Sequence, residues 1–219
     1  MQLVTIDAEK YIDFAASSIL QKLTQLLKTK KDVFIALSGG SSPLPIYKKL
    51  SGYDIEWKRL HFFMVDERCV PSDHEESNYK NISDSLFNHV QTNTYPVVCT
   101  NLDFEKSAKT YDRLLKEKLG VEKGFPKFDL IILGMGLDGH TASLFPETKA
   151  LQNTKDSYVL NNVPQLKALR LTMTYPVILN AQTIILLVPG LSKKKVLTNA
   201  NNNSLPIAKV LPSIDLIIN

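Results

Sequence analysis

A histidine set in a glycine-rich loop is the residue of this chain best suited to proton transfer. Residues 134–146 read Gly-Met-Gly-Leu-Asp-Gly-His-Thr-Ala-Ser-Leu-Phe-Pro, so that Asp138 precedes His140 by two positions. Imidazole has an unperturbed pKa near neutrality. A carboxylate two residues away can orient the ring while the ring takes a proton from water. Glycine reaches backbone conformations closed to other residues and lets main chain approach a ligand. Thr141 and Ser143 are placed to cap a helix after the loop.

A second glycine loop, Ser-Gly-Gly-Ser-Ser-Pro at residues 38–43, has the character of an anion cradle. Backbone N–H groups of Gly39, Gly40, Ser41 and Ser42 next to a helix start favour a phosphate. Ser42 is the expected N-cap and Pro43 the first helical residue. The lysine of a P-loop is missing, so the motif is not that one. Asp66-Glu67-Arg68 closes another apolar run and joins two carboxylates to a guanidinium suited to paired hydrogen bonds with an anion. Arg170 lies between apolar strand neighbours and must face water or a site, because unpaired burial of charge is costly. Lys193 opens a lysine triplet at a helix start. His61, His74 and His89 lack a comparable setting and read as structural or surface residues. The histidines and carboxylates have no metal-ligand spacing, and neither a metal nor a cofactor is expected.

These groups must be positioned by the elements around them. Each loop follows a continuous apolar run, residues 33–37 and 128–133, of the kind a strand covered on both faces requires. Residues 7–30 carry apolar positions at three- and four-residue steps, an amphipathic helix that Asp7 is placed to cap. Further strands are expected at residues 2–6, 60–65, 96–98, 169–174, 183–188 and 214–218, and helices at 44–50, 78–90, 104–119, 176–181 and from Gly190 onward. Residues 150–166 have no clear period and read as a surface excursion with one short strand, and residues 199–203 as a polar turn. Strands alternating with helices argue a mostly parallel sheet with helices on both faces.

The chain has 219 residues, 44% of them hydrophobic and 22% charged, which suits a single α/β domain over residues 1–219. A net charge of +4 with dispersed lysines fits a phosphorylated small molecule and argues against nucleic acid. Two cysteines without C-x-x-C spacing, Cys69 and Cys99, read as free thiols of a reducing compartment. No signal peptide and no apolar stretch of about eighteen residues is present, so a cytoplasmic protein is expected, as a monomer or small homo-oligomer.

Taken together, Leu-Ser-Gly-Gly-Ser-Ser-Pro, Val-Asp-Glu-Arg-Cys-Val-Pro with Glu-Ser-Asn after it, the loop at 134–146, Arg-Leu-Thr-Met-Thr-Tyr-Pro-Val and the Gly-x-x-Lys at 190–193 resemble the 6-phosphogluconolactonases. The motifs stand in that family's order from Leu37 to about Lys209. The resemblance implies a Rossmann-like domain, shared with the glucosamine-6-phosphate deaminases, and hydrolysis of 6-phospho-D-glucono-1,5-lactone in the oxidative pentose phosphate pathway. It implies His140 as general base with Asp138 and Asp66 as catalytic carboxylates. The substrate would be held by Gly39, Gly40, Ser41, Ser42, Arg68, Arg170 and Lys193. The rival deaminases carry Ala-Phe-Asn-Glu-Pro after their histidine, and Phe145 stands here in the place of that glutamate. A non-catalytic sugar-phosphate sensor is a further alternative, against which the retained histidine argues.

Overall fold

The apolar runs become the strands of one parallel sheet. The computed structural model describes residues 1–99, 103–201 and 204–219. In chain order, β1 (Gln2–Val4), α1 (Ala8–Thr29), β2 (Val33–Leu37), α2 (Leu44–Leu50), β3 (Leu60–Met64), β4 (Asp66–Arg68), α3 (Asn78–Ser85) and β5 (Asn93–Tyr95) fill the first part. There follow α4 (Phe104–Leu119), β6 (Leu130–Gly134), β7 (Tyr158–Val163), β8 (Ala168–Met173), α5 (Tyr175–Leu179), β9 (Ile184–Leu187), α6 (Leu191–Thr198) and β10 (Leu216–Ile218).

The seven-stranded sheet has the order β1-β10-β9-β6-β2-β3-β5 with every pairing parallel. From β2 the chain steps outward to β3 and β5; after α4 it returns to β6, on the other side of β2, and steps the opposite way to β9 and β10. Right-handed crossovers therefore put α1, α2 and α3 on one face and α4, α5 and α6 on the other. The direction of winding reverses between β2 and β6, whose loops diverge to leave a crevice at their carboxyl ends. Such a switch point is where open α/β sheets bind ligands. The strands β2, β6 and β9 are buried almost throughout, which explains their unbroken apolar sequences.

A second sheet, of three antiparallel strands in the order β4-β8-β7, is spliced onto the first. The Val65 N–H donates to the Leu37 carbonyl of the parallel sheet, and the Val65 carbonyl accepts from the Met173 N–H at the end of β8. The sequence signals for this sheet are weak. β4 is three residues long, too short to show a period. The short strand expected within residues 150–166 is present as β7 (Tyr158–Val163), but it is longer than expected and is not a surface excursion, since it packs on α4 with Tyr158 against Tyr111 at 4.6 Å between ring centroids. Its polar residues are not all solvated: Asn161 is 1% exposed and spends its amide on the Ser143 carbonyl and Thr148 Oγ1.

Three local expectations are corrected. Asp7 occupies the N-cap position of α1, but its exposed side chain makes no capping bond. The strand expected at 96–98 lies instead at β5, since Pro96 has no N–H for a ladder and pairing with β3 ends at Tyr95. The helix expected over 78–90 breaks after Ser85, and a 3₁₀ turn covers Phe87–His89. Gly120 does follow α4, at φ 69°. Of the polar turn at 199–203, Asn202 and Asn203 lie outside the described residues. Among the described residues no helix is long and apolar enough to cross a membrane.

Candidate active site

At the switch point the loops after β2, β6 and β9 meet around one cleft of about 210 Å³. Its walls include Gly39, Gly40, Ser41 and Ser42 from the first loop, Asp66 and Arg68 from β4, Gly136 and His140 from the second loop, and Lys193 from α6. Residues more than 150 positions apart in the chain thus line one space.

His140 is partnered by a carboxylate. Its Nδ1 lies 2.5 Å from Asp138 Oδ1, and the same oxygen accepts from the His140 N–H at 3.2 Å. Donation from Nδ1–H leaves Nε2 as the basic nitrogen of the neutral ring. Burial acts to raise the Asp138 carboxyl, but the hydrogen bonds and charge of His140 outweigh it and hold it below its ordinary value. Phe145 supports the ring from beside it, stacked at 4.0 Å between centroids and 27° between planes. The backbone leaves little freedom under the dyad: a Cβ on Gly136 would meet His140 Cε1 at 2.2 Å, His140 Nδ1 at 2.3 Å and Asp138 Oδ1 at 2.6 Å. Gly136 is therefore needed for close approach, whereas Gly139 is needed for its positive φ of 74°.

No helix follows this loop, contrary to the reading of Thr141 and Ser143 as caps. Ala142 and Glu147 take positive φ, 52° and 62°, which interrupts any helical run. The two hydroxyls turn elsewhere, Thr141 Oγ1 to the Gly134 carbonyl at 2.8 Å and Ser143 Oγ to Asp66 Oδ2 at 2.6 Å. Asp66 is thus bonded to Ser143, and it is Asp138 that bonds His140.

The cleft is also lined by cations and loop amides. In the loop after β2, the N–H groups of Gly39, Gly40, Ser41 and Ser42 meet no acceptor among the described residues. The N-cap of α2 is Pro43, one position later than expected, and Ser42 instead takes a 3.1 Å hydrogen bond from Lys193 Nζ. Burial lowers the Lys193 ammonium below its ordinary range. Arg68 and Arg170 are directly opposed in the β4–β8 ladder. Like charges so placed are unfavourable unless an anion joins them. Burial first, and then the charge of Arg68, lower the Arg170 guanidinium. Arg68 Nη1 donates to the Glu76 carbonyl at 2.6 Å and Arg170 Nη1 to the Leu169 carbonyl at 3.2 Å. Among the described residues neither has a carboxylate partner within salt-bridge distance. Arg170 flanks Arg68 without itself lining the cleft.

Glu67 explains how the arginine is held. Its buried carboxylate accepts the N–H groups of Arg68 (2.8 Å), Asn78 (2.6 Å) and Tyr79 (2.8 Å), so it closes the start of α3 and ties it to β4. Desolvation raises this carboxyl, although the three N–H donors act against the rise. Hydrogen bonds to a charged acceptor contribute about 1.5–3 kcal/mol. A Cβ on Gly39 would fall 2.0 Å from Asn78 Oδ1, so the first loop rests directly on the same helix start. Sequence reasoning named neither Gly136 nor Ser143 nor Glu67 as part of the site; the Gly-x-Gly spacing before His140 was the one available signal. The other histidines make contacts outside the cleft, His61 with Tyr95, His74 with the Glu76 N–H and His89 with Lys48. Cys69 and Cys99 are free thiols.

A family model described as glucosamine-6-phosphate isomerases/6-phosphogluconolactonase matches residues 6–218. The 6-phosphogluconolactonase of Thermotoga maritima is 37% identical over 193 residues, 86% of this chain and 83% of that protein. That of a Synechocystis species is 37% identical over 198 residues, covering 89% and 82%. Among solved structures, the T. maritima 6-phosphogluconolactonase superposes with a TM-score of 0.85 at 30% identity, over 99% of this chain and 96% of that one. The Trypanosoma cruzi 6-phosphogluconolactonase gives 0.87 at 29% identity, over 99% and 92%.

Proposed function

The chain belongs to the glucosamine-6-phosphate isomerase/6-phosphogluconolactonase family, and we propose that this enzyme is a hydrolase that opens 6-phospho-D-glucono-1,5-lactone to 6-phospho-D-gluconate with His140 as general base. The observation that carries the reading is the cleft that His140, held by Asp138, shares with the amides of residues 39–42, Arg68 and Lys193. A sugar phosphate needs both, one end for its dianion and the other for its reacting carbon. The names of the curated relatives support the lactonase side of the family, and so does the place of Phe145. A glutamate there could assist a ring-opening step; an aromatic ring stacked on the imidazole cannot exchange a proton and serves to hold the base in place.

In the proposed mechanism the phosphate is bound by the amides of residues 39–42, Arg68 and Lys193, with Arg170 adding charge behind Arg68. The lactone carbonyl then lies over the second loop. His140 Nε2 takes a proton from water as the water oxygen bonds C1, and Asp138 stabilises the imidazolium that forms. The second hydrogen of that water needs an acceptor if its lone pair is to aim at C1, and Asp66 supplies it. Backbone N–H groups stabilise the tetrahedral oxyanion. As the oxyanion collapses, the C1–ring oxygen bond breaks and His140 returns its proton to the departing oxygen. The balance is one water consumed and one carboxylic acid formed, which ionises at neutral pH.

The direct test mixes the protein with freshly generated lactone and, separately, with glucosamine 6-phosphate. Formation of 6-phosphogluconate well above the spontaneous rate, without ammonia from the amino sugar, is the expected result. Ammonia release without lactone hydrolysis would move the chain to the deaminase side, and neither activity would leave a binding domain. Arg170→Ala should raise KM for the lactone by about two- to fivefold with kcat nearly retained, as expected for loss of a partly screened charge that acts from behind Arg68 equally in ground and transition states. An unchanged KM would remove Arg170 from phosphate binding.

A further inference from the structure

Asp66 is 8% exposed at the head of β4, and one of its oxygens, Oδ2, is committed to the hydroxyl of Ser143. Among the described residues the other oxygen, Oδ1, has no hydrogen-bond partner, and Asp66 lines the cleft. Ser143 does not line the cleft and is only 2% exposed, which rules it out as a nucleophile acting on substrate. It is instead held at every polar group. Its N–H donates to Thr172 Oγ1 at 3.1 Å, its carbonyl accepts from Asn161 Nδ2 at 2.9 Å, and its hydroxyl is spent on Asp66. Both of those neighbours are themselves buried, Thr172 at 0% and Asn161 at 1% exposure. Ala142 stands between His140 and Ser143 at φ 52°. An alanine kept in a left-handed conformation costs energy that a merely connecting turn would avoid with glycine. The turn lets the backbone present His140 to the cleft and, three residues on, Ser143 to the carboxylate behind it.

From these contacts we infer that Ser143 is a positioning residue for the hydrolysis. It locks the Asp66 carboxylate by one oxygen so that the other is turned to the attacking water. The inference rests on the lactonase reading and deepens it. Two carboxylates then divide the work: Asp138 orients the base, while Asp66, set by Ser143, orients the nucleophile. Thr172 and Asn161 fix the serine in turn, so the antiparallel sheet β4-β8-β7 carries the device.

The test is a double-mutant cycle with Ser143→Ala, Asp66→Asn and the double variant, read in kcat and KM for the lactone and in thermal midpoints. Ser143→Ala should lower kcat by about tenfold, the scale of a small misplacement of a reacting group, with KM within about twofold and a midpoint near that of the parent. In the Asp66→Asn background the same substitution should cost less than about twofold more, because groups that act together are not additive. An equal loss in both backgrounds, or an undiminished kcat in Ser143→Ala, overturns the inference. A second readout needs no turnover: in substrate-free protein the ¹³C resonance of the Asp66 carboxyl should move in Ser143→Ala while that of Asp138 stays. An unmoved Asp66 resonance overturns the positioning role even if the variants fold poorly enough to blur the kinetics. A parent protein inert toward the lactone would overturn the lactonase reading, and the resonance would still report whether Ser143 sets Asp66.

Discussion

Replacing His140 by Asn should lower kcat for the lactone by about 10²–10⁴-fold, the usual contribution of a positioned general base. Asparagine keeps a polar group of similar reach but has no nitrogen that accepts a proton near neutral pH. The phosphate wall is on other elements: the loop after β2, Arg68 on β4 and Lys193 on α6 do not touch the imidazole. Binding of 6-phosphogluconate, measured by calorimetry, should therefore stay within a few-fold of the parent. The pairing of the two outcomes is what matters. A variant that turned over at the parental rate would remove His140 from the chemistry, and a variant that no longer bound product would make the residue a ligand contact instead of a base.

The second large effect comes from a residue with no side chain. Gly136→Ala places a methyl within 2.2–2.6 Å of His140 Cε1, His140 Nδ1 and Asp138 Oδ1. Contacts under 3 Å do not persist, so the imidazole, the carboxylate or the loop must move. The ring also stacks on Phe145, which is itself 6% exposed and leaves it little room to move. A displacement of about 1 Å at a catalytic group costs on the order of 10²-fold in rate. Gly136→Ala should accordingly lose about 10²-fold in kcat while keeping its product affinity and its circular dichroism spectrum. The test separates geometry from chemistry, because every proton-carrying group is still present. Parental turnover in this variant would mean that the dyad tolerates displacement and that its contact with Gly136 is incidental.

Much of this candidate site is legible in the sequence alone. The two glycine loops, the histidine with its aspartate, and the cations Arg68, Arg170 and Lys193 all stood out by residue type and spacing. That both glycine loops open at the carboxyl edge of the sheet also followed from the sequence, since each succeeds a parallel strand, but that those two strands are neighbours emerged only in the fold. What escaped were contacts whose sense depends on a distant partner. Ser143 and Thr141 looked like helix caps because, locally, a hydroxyl after glycine usually is one. The left-handed turns at Ala142 and Glu147 give no sign in the amino-acid letters. Asn161 looked solvated because most asparagines are, yet here its amide satisfies a carbonyl 18 positions away. Glu67 stood in the sequence only as a second carboxylate beside Arg68, and the folding of α3 back onto β4 makes it an acceptor for three backbone N–H groups.

The division has a physical reason. The placement of most strands and helices, the covered parallel sheet and the choice of His140 as candidate base rest on short-range properties: hydrophobic period, glycine's conformational range and imidazole's intrinsic basicity. These are carried by residues adjacent in the chain, and the sequence by itself determined them here. The choice of hydrogen-bond partner is a long-range matter. Asp66 and Ser143 are 77 positions apart, and Ser42 and Lys193 are 151 apart. Their pairing exists only once the second sheet is spliced to the first and α6 is brought over the loop after β2. The partner of Asp66 was therefore decided by tertiary structure alone, whereas the pairing of Asp138 with His140, two positions apart, was already legible in the sequence.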